Sequence, residues 1–179
     1  LGIVFASPTS TVYAEGGTGA TGGLIIDGTG NITADGTYAY SATDKTLMLN
    51  GYNGGVIRFT ADNDVTVNLV KGSTNTITLN DGAVSENQFG VYAAGNLTVT
   101  GNGTLNINLD ISGTGDEITT EYGKELYGLY AKNLTINKDV NVNVNLISNG
   151  FSCGIFAAND ITVAEKANLD IKCRSKYNN

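Results

Sequence analysis

The chain has 179 residues, a formal net charge of −7, 24 glycines, one proline and neither histidine nor tryptophan. This length is enough for one domain with a hydrophobic core. The negative charge argues against a nucleic-acid partner, because binding to phosphates requires a basic surface. Glycine, asparagine and threonine disfavour helices, whereas the valine, isoleucine and tyrosine residues of the chain favour strands.

The first 14 residues have the pattern of a residual signal peptide. They begin apolar, and they end in Val12 to Ala14 before Glu15, which is typical of a small-residue cleavage site. The alternative is a short apolar first strand. No other apolar run approaches the ~20 residues that a membrane helix needs. We therefore predict an exported domain without membrane insertion, and we assign residues 15–45 to an N-terminal cap or first coil.

A repeat dominates the rest of the chain. Three segments open with glycine, an aliphatic residue, an aromatic residue and alanine, at Gly90, Gly128 and Gly154. Looser copies lie at Val56 to Leu79 and within Leu24 to Leu49. Each copy contains short strand signals separated by Asn, Asp and Gly, which turn the chain without a helix. Internal repetition of this kind is typical of stacked architectures.

Matching columns of residues distinguish a stack from an antiparallel sandwich or barrel. Leu97, Leu134 and Ile161 occupy the same place in their copies, and strands of a sandwich have no reason to match in this way. Stacked coils would place like residues ~4.8 Å apart in parallel sheets. We predict an all-β, right-handed parallel β-helix of about 4–5 coils with three short strands per coil. It should cover residues 46–179, with a lateral loop at 112–125, and continue in a longer parent protein.

Few residues suggest catalysis or metal binding. Arg58 lies near Asp62 and Asp64, and these carboxylates could share calcium, as in a polysaccharide lyase. The same letters also fit an ordinary polar turn. Histidine, the commonest general base, is absent, and the other aspartates outside residues 112–125 are scattered singly. We therefore expect no enzyme and no cofactor, with calcium as an option.

Aromatic residues form the more suggestive column. If the aliphatic residues before them point inward, Tyr92, Tyr130 and Phe156 point outward. The motif glycines would then face outward too and leave room beside a flat surface on which sugar rings could pack. The alternative is an internal aromatic ladder, with Phe89 and Tyr127 as the exposed residues.

Two cysteines, Cys153 and Cys173, lie twenty positions apart. In an exported chain they could form a disulfide. Alternatively, Cys153 is a small buried hydrophobic residue, because it takes the place of Phe89 and Tyr127 in the other copies.

The repeat, best seen in LNGYNGGVIRF and YGLYAKNLTIN, resembles a group of exported bacterial proteins that are common in clostridia-like anaerobes. These are carbohydrate-binding or pectate-lyase-like β-helix surface proteins, and the resemblance covers about Thr46 to Lys172. It implies a secreted or cell-surface protein.

We therefore expect a non-catalytic module that binds a polysaccharide or a cell-surface glycan, with no nucleic-acid partner. A structural spacer or adhesin stalk is the alternative, and a polysaccharide lyase or hydrolase is a distant one. The oligomeric state is left open.

Overall fold

The computed structural model describes residues 23–33, 36–80, 84, 86–112 and 124–175. The predicted signal peptide and most of the predicted lateral loop lie outside this part of the chain. Within it the protein is all-β, with seventeen strands and no helix. The strands are β1 (Leu24–Ile26), β2 (Ile32–Thr33), β3 (Tyr38–Ser41), β4 (Thr46–Leu49), β5 (Asn53–Gly54), β6 (Ile57–Phe59), β7 (Val65–Leu69), β8 (Thr74–Asn80), β9 (Gln88–Ala93), β10 (Leu97–Gly101), β11 (Thr104–Asp110), β12 (Leu126–Ala131), β13 (Leu134–Ile136), β14 (Asn141–Ser148), β15 (Ser152–Ala157), β16 (Ile161–Val163) and β17 (Asn168–Ser175).

The strands form three sheets. The first has the order β1-β6-β9-β12-β15, the second β16-β13-β10-β7-β4-β3-β2 and the third β17-β14-β11-β8-β5. From β6 onwards the chain visits the first, second and third sheets in turn and then returns beside its earlier strand. We call one such passage a coil. All strand pairs are parallel except β2–β3 and β3–β4, so the prediction of an all-β fold with parallel sheets is confirmed.

Like residues lie beside one another in successive coils. Leu97 pairs with Leu134, and Leu134 pairs with Ile161 in the next strand of the second sheet. Leu97 and Leu134 are buried in one continuous core that all three sheets line. This confirms the predicted column. A single coil has no second layer to cover its apolar side, so neighbouring coils cover one another.

An antiparallel hairpin, β2–β3, lies at the N-terminal end. It pairs with β4, and its residues Ile32 and Tyr40 are buried in the core. The turn from β3 to β4 is held by the Ser41 hydroxyl, which donates to Asp44 Oδ2 at 2.8 Å, and Lys45 follows with a φ of 50°. The looser repeat expected within residues 24–49 therefore contains a hairpin where the later coils have only parallel strands.

One asparagine lies fully inside the core near this end. Asn75 aligns with Leu105 in the third sheet and has no exposed surface. Its Oδ1 accepts from the backbone N–H groups of Gly51 and Tyr52 at 2.9 and 3.0 Å. Its Nδ2 donates to Ser73 Oγ and to the carbonyl oxygen of Thr104. A buried amide is tolerated here because both its oxygen and its nitrogen have partners.

Within residues 23–175, the C-terminal coil, β15 to β17, pairs only with strands of the preceding coil. Its inward residues are therefore more exposed than their partners in the preceding coil. Ile161 is 49% exposed, whereas Leu134 is 1% exposed.

Candidate binding face

Six rings cluster on the outer side of the first sheet. We call this cluster the aromatic face. Its central rings are partly exposed on the outside, while the aliphatic residues beside them point into the core. Phe151 is the most exposed member, at 55%, and Tyr127 is buried. The aromatic face comprises Phe89, Tyr92, Tyr127, Tyr130, Phe151 and Phe156.

A local break in alternation creates this face. Phe89 and Tyr92 are three residues apart, yet their rings lie 5.1 Å from each other. Both can face outward because Gly90 and Val91 between them are both buried and point to the core. The strand register also omits the motif glycines, as in a bulge. The sequence therefore supplies two adjacent aromatic columns where strict alternation predicts one.

The expectation that the motif glycines face outward is wrong. A Cβ atom on Gly90 would collide with the Ile107 side chain in the core and lie 2.7 Å from the carbonyl oxygen of Gly128. A Cβ atom on Gly128 would lie 2.6 Å from Val144 Cγ1 and collide with the carbonyl oxygen of Gly154. Glycine is needed because two coils and the third sheet converge there, so these positions open no space beside the rings.

The rings stack on one another along the stack of coils. Tyr92 and Tyr130 have centroids 5.4 Å apart and planes 18° apart, and Tyr130 and Phe156 have values of 4.8 Å and 15°. Phe89 and Tyr127 form a second stacked pair at 5.3 Å and 9°. Ring planes in this orientation turn their edges to solvent. The predicted residues do come together, but Tyr92 and Tyr130 do not present flat faces to a sugar.

Polar groups border the aromatic column at one end and along its length. The guanidinium carbon of Arg58 lies 5.5 Å from the centroid of the Tyr92 ring, at the distance of a cation–π contact. Within the described part of the chain, Arg58 has no ion-pair partner. The hydroxyls of Tyr92 and Tyr130 likewise have no hydrogen-bond partner among the described residues. These two phenol groups lie one coil apart, on neighbouring strands of the first sheet.

Glu125 anchors the other edge of the face. Its Oε2 accepts from the Tyr127 hydroxyl at 2.7 Å and from Asn87 Nδ2 at 3.0 Å. Burial raises the pKa of Tyr127, and the hydrogen bond to Glu125 and its charge raise it further. The phenol thus stays a neutral donor. Sequence reasoning placed Glu125 among the acids of the lateral loop, and the short spacing to Tyr127 was the only signal of this contact.

Asp62 and Asp64, the predicted calcium ligands, are both exposed. Asp64 Oδ1 accepts from Asn96 Nδ2 at 2.7 Å, and Asn133 Nδ2 donates to Asn96 Oδ1 at 2.7 Å. Asp160 donates its backbone N–H to Asn133 Oδ1 at 3.2 Å. These four residues form a ladder through the turns before the second sheet. The described residues contain no group of three or more His, Cys, Asp or Glu side chains placed to share a metal ion.

A shallow depression of about 570 Å³ lies between the second and third sheets, away from the aromatic face. Thr100, Asn137, Lys138 and Glu165 contribute to its lining. Asn137 Nδ2 donates to Thr100 Oγ1 at 3.1 Å, so this amide already has an internal partner.

The two cysteines are free thiols. Cys153 pairs in register with Tyr127, as the repeat predicts. Cys153 is partly buried, and Cys173 is exposed. Neither the disulfide nor the fully buried thiol is present.

Comparison with protein-family models, curated proteins and solved structures finds no match to this chain. The resemblance to exported bacterial β-helix proteins therefore stays a prediction based on the repeat. None of the described residues, 23–175 with their gaps, forms a helix that could cross a membrane.

Proposed function

We propose that the chain is a non-catalytic module of an exported or cell-surface bacterial protein, and that it binds polysaccharide along the aromatic face. The observation that carries this proposal is the pair of phenol hydroxyls on Tyr92 and Tyr130, which have no hydrogen-bond partner within the described part of the chain. They repeat at the coil spacing on a half-exposed apolar strip. Strands in neighbouring coils lie ~4.8 Å apart, so the two hydroxyls form a regular row.

The binding mode differs from stacking on a flat surface. Each tyrosine hydroxyl can donate and accept a hydrogen bond, while ring edges and the exposed Phe151 supply apolar contacts. Phe156 stacks on Tyr130 and is partly exposed, so it adds apolar surface at the end of the column. Arg58 and Glu125 add one charge of each sign at the border.

A structural spacer or adhesin stalk is the second candidate, and ring stacking favours it. Tyr130 is sandwiched between Tyr92 and Phe156, so much of its ring surface stabilises neighbouring coils. Stacked aromatic pairs contribute about 0.5–1.5 kcal/mol beyond the burial of their area. A spacer needs this stability and no ligand.

The proposal includes a right-handed parallel β-helix closed around one core. Connections between parallel strands of one sheet are almost always right-handed, and this rule supports the handedness. The chain visits three sheets in a fixed order, with register kept from coil to coil, and this order supports closure. Secretion through the N-terminal segment belongs to the same proposal.

Retention on immobilised polysaccharides tests the binding role. We expect Tyr130→Phe to weaken retention, because it removes only the hydroxyl and keeps the stacked ring. Phe156→Ala should weaken it further by removing a ring from the end of the column. Met48→Ala is the matched control, since Met48 is an exposed apolar residue of the second sheet.

Equal retention by the wild type and all three variants would contradict the aromatic face as the binding site. No retention across a broad glycan array, with and without calcium, would contradict binding itself. The second result, with an intact fold by circular dichroism, leaves the spacer as the function.

A further inference from the structure

Tyr127 is the central ring of the aromatic face. It contacts four of the five other rings, with centroids between 5.3 and 5.9 Å away. It stacks on Phe89 with planes 9° apart and meets Tyr130 edge-on with planes 81° apart. Its strand β12 lies between β9 and β15 in the first sheet, so the ring has neighbours on both sides. The two aromatic columns therefore join at Tyr127, and its position sets how they lie against each other.

The hydroxyl of Tyr127 donates to the carboxylate of Glu125. Tyr127 is 8% exposed, and the distance from its hydroxyl to Glu125 Oε2 is 2.7 Å. A tyrosine oxygen lies on the axis about which its own ring rotates. The hydrogen bond therefore fixes the direction in which the side chain leaves the backbone, whereas stacking on Phe89 fixes the plane of the ring. The two contacts together hold the ring in one orientation.

Glu125 is itself held in place by Asn87, the residue before the neighbouring strand β9. Asn87 Nδ2 donates to Glu125 Oε2 at 3.0 Å, and Asn87 Oδ1 accepts from the backbone N–H of Glu125 at 3.0 Å. The N–H of Gln88 also donates to the carbonyl oxygen of Glu125 at 2.9 Å. Three hydrogen bonds to the preceding coil therefore fix the carboxylate that receives the phenol.

The carboxylate of Glu125 is not used to neutralise a cation. In the part of the chain that the structure describes, the only ion pair joins Lys172 to Asp170. Both hydrogen bonds to Glu125 Oε2 come from neutral donors, on Tyr127 and Asn87. Charged acceptors form stronger hydrogen bonds than neutral ones, so this carboxylate suits the task of holding a phenol.

Loss of the carboxylate would leave the Tyr127 hydroxyl buried without this acceptor. A buried donor without a partner is costly, and the cost is relieved when the side chain turns its hydroxyl towards solvent. That movement would take the ring away from Phe89 and Tyr130, with which it now packs. The junction between the two aromatic columns would then be lost.

We propose that Glu125 and Asn87 are positioning residues of the aromatic face, which hold Tyr127 in the orientation that polysaccharide binding requires. The inference rests on the proposed function and adds to it the residues that arrange the rings. Glu125 and Asn87 act through Tyr127, whereas Tyr130 and Phe156 contact the sugar.

Binding of the full chain to an array of xylan, pectin, chitin and β-glucan measures the effect. Glu125→Ala should raise the dissociation constant for the polysaccharide that the wild type binds roughly fivefold, because the ring must then be ordered on binding. Glu125→Gln should bind like the wild type, since its side-chain oxygen still accepts from Tyr127. Asp44→Ala is the matched control, because Asp44 Oδ2 also accepts from a hydroxyl, that of Ser41 at 2.8 Å, but in the turn between β3 and β4.

A second substitution separates positioning from general support of the chain before β12. Tyr127→Phe removes the hydroxyl that needs an acceptor and keeps the ring. Added to Glu125→Ala, it should restore binding to within about twofold of the wild type. The near-ultraviolet circular dichroism of the rings should change in Glu125→Ala and return in the double variant. If Glu125 only supports the backbone, the double variant binds no better than Glu125→Ala.

Asn87→Ala keeps the carboxylate of Glu125 but removes two of its hydrogen bonds. It should show a smaller loss of binding in the same direction, and it takes the place of Glu125→Ala if that variant does not fold.

Equal binding by the wild type and Glu125→Ala overturns the inference and leaves the proposed function standing. Failure of Tyr127→Phe to restore binding overturns it as well. If the wild type binds no polysaccharide of the array, the proposed function fails and the positioning role fails with it.

Discussion

The two ends of the stack carry the same kind of residue in different surroundings. At the N-terminal end, Leu47 and Leu49 of the second sheet are fully buried, with the hairpin strand β3 beside them. At the C-terminal end, Ile161 and Val163 of the same sheet are nearly half-exposed. Burial in a stack is therefore a property of the neighbouring coil and not of the residue. Aliphatic residues in one column should contribute very differently to stability.

The largest effect on stability should distinguish an inner coil from the C-terminal coil. We expect Leu134→Ala to lower the free energy of unfolding by about 3 kcal/mol, because it leaves a cavity in the closed core. Ile161→Ala, in the same column, should cost about 1 kcal/mol because half of that side chain is already exposed. Urea denaturation monitored by circular dichroism measures both values. Equal losses would show that the last coil is covered in solution.

A second test concerns the N-terminal end of the stack, where Asn75 is buried. Asn75→Leu introduces the residue type of its column neighbour Leu105 but removes the acceptor for the N–H groups of Gly51 and Tyr52. We expect a loss of about 3 kcal/mol, since buried donors without partners are costly. Asn143→Leu, on the outer side of the same sheet, should cost about 0.5 kcal/mol. A stabilised Asn75→Leu protein would mean that column identity outweighs hydrogen bonding there.

Two motif glycines, Gly128 in an inner coil and Gly154 in the C-terminal coil, allow the same comparison with smaller effects on stability. Gly128→Ala should cost about 2 kcal/mol, because the new Cβ meets the backbone carbonyl of Gly154, which is fixed in the sheet. The Cβ added by Gly154→Ala would contact only the side chain of Ile171. This side chain is exposed in the C-terminal coil and can move, so the loss should be below about 1 kcal/mol. Thermal unfolding of the two variants measures the difference. A larger loss of stability for Gly154→Ala than for Gly128→Ala would contradict the packing argument.

The smallest effect is a pH dependence of the unfolding free energy, which arises from Asp27 near the N-terminal end. Asp27 accepts from the backbone N–H and the hydroxyl of Thr29, and these hydrogen bonds lower its pKa. Its stabilisation is therefore present above the unfolded pKa of about 3.9 and is lost as the pH falls through the lower folded value. The effect is small because Asp27 is exposed.

Asp27→Asn keeps an acceptor without a titrating group. Its unfolding free energy should therefore change less with acid than that of the wild type. Denaturant titrations from about pH 6 to pH 2 measure the difference, and parallel curves would remove Asp27 as the cause.

The stack of coils was predictable because its information lies in one-dimensional repetition. Leu97, Leu134 and Ile161 match in sequence, and equal positions must coincide when coils of parallel strands are stacked. The antiparallel hairpin was not predictable in this way, because Tyr38 to Ser41 has strand propensity for either direction. The turn between Ser41 and Asp44 decides which one forms.

One column of the aromatic face was predictable, but its second column and the orientation of its rings were not. Alternation placed Tyr92, Tyr130 and Phe156 on one column, but it cannot detect two consecutive inward residues and so misplaced Gly90. Ring orientation depends on side-chain torsions that sequence does not reveal. Asn75 was missed because a polar residue in an alternating strand is ordinarily assigned to the solvent side.

The amide ladder of Asp64, Asn96 and Asn133 has a polarity along the stack. Every amide nitrogen in it donates towards the N-terminal neighbour, and the row ends on a carboxylate that can only accept. If the coils fold from the N-terminus onwards, each added asparagine therefore finds its hydrogen-bond acceptor already in place. Such a molecule is suited to folding in the order in which it emerges from a ribosome, one coil after another.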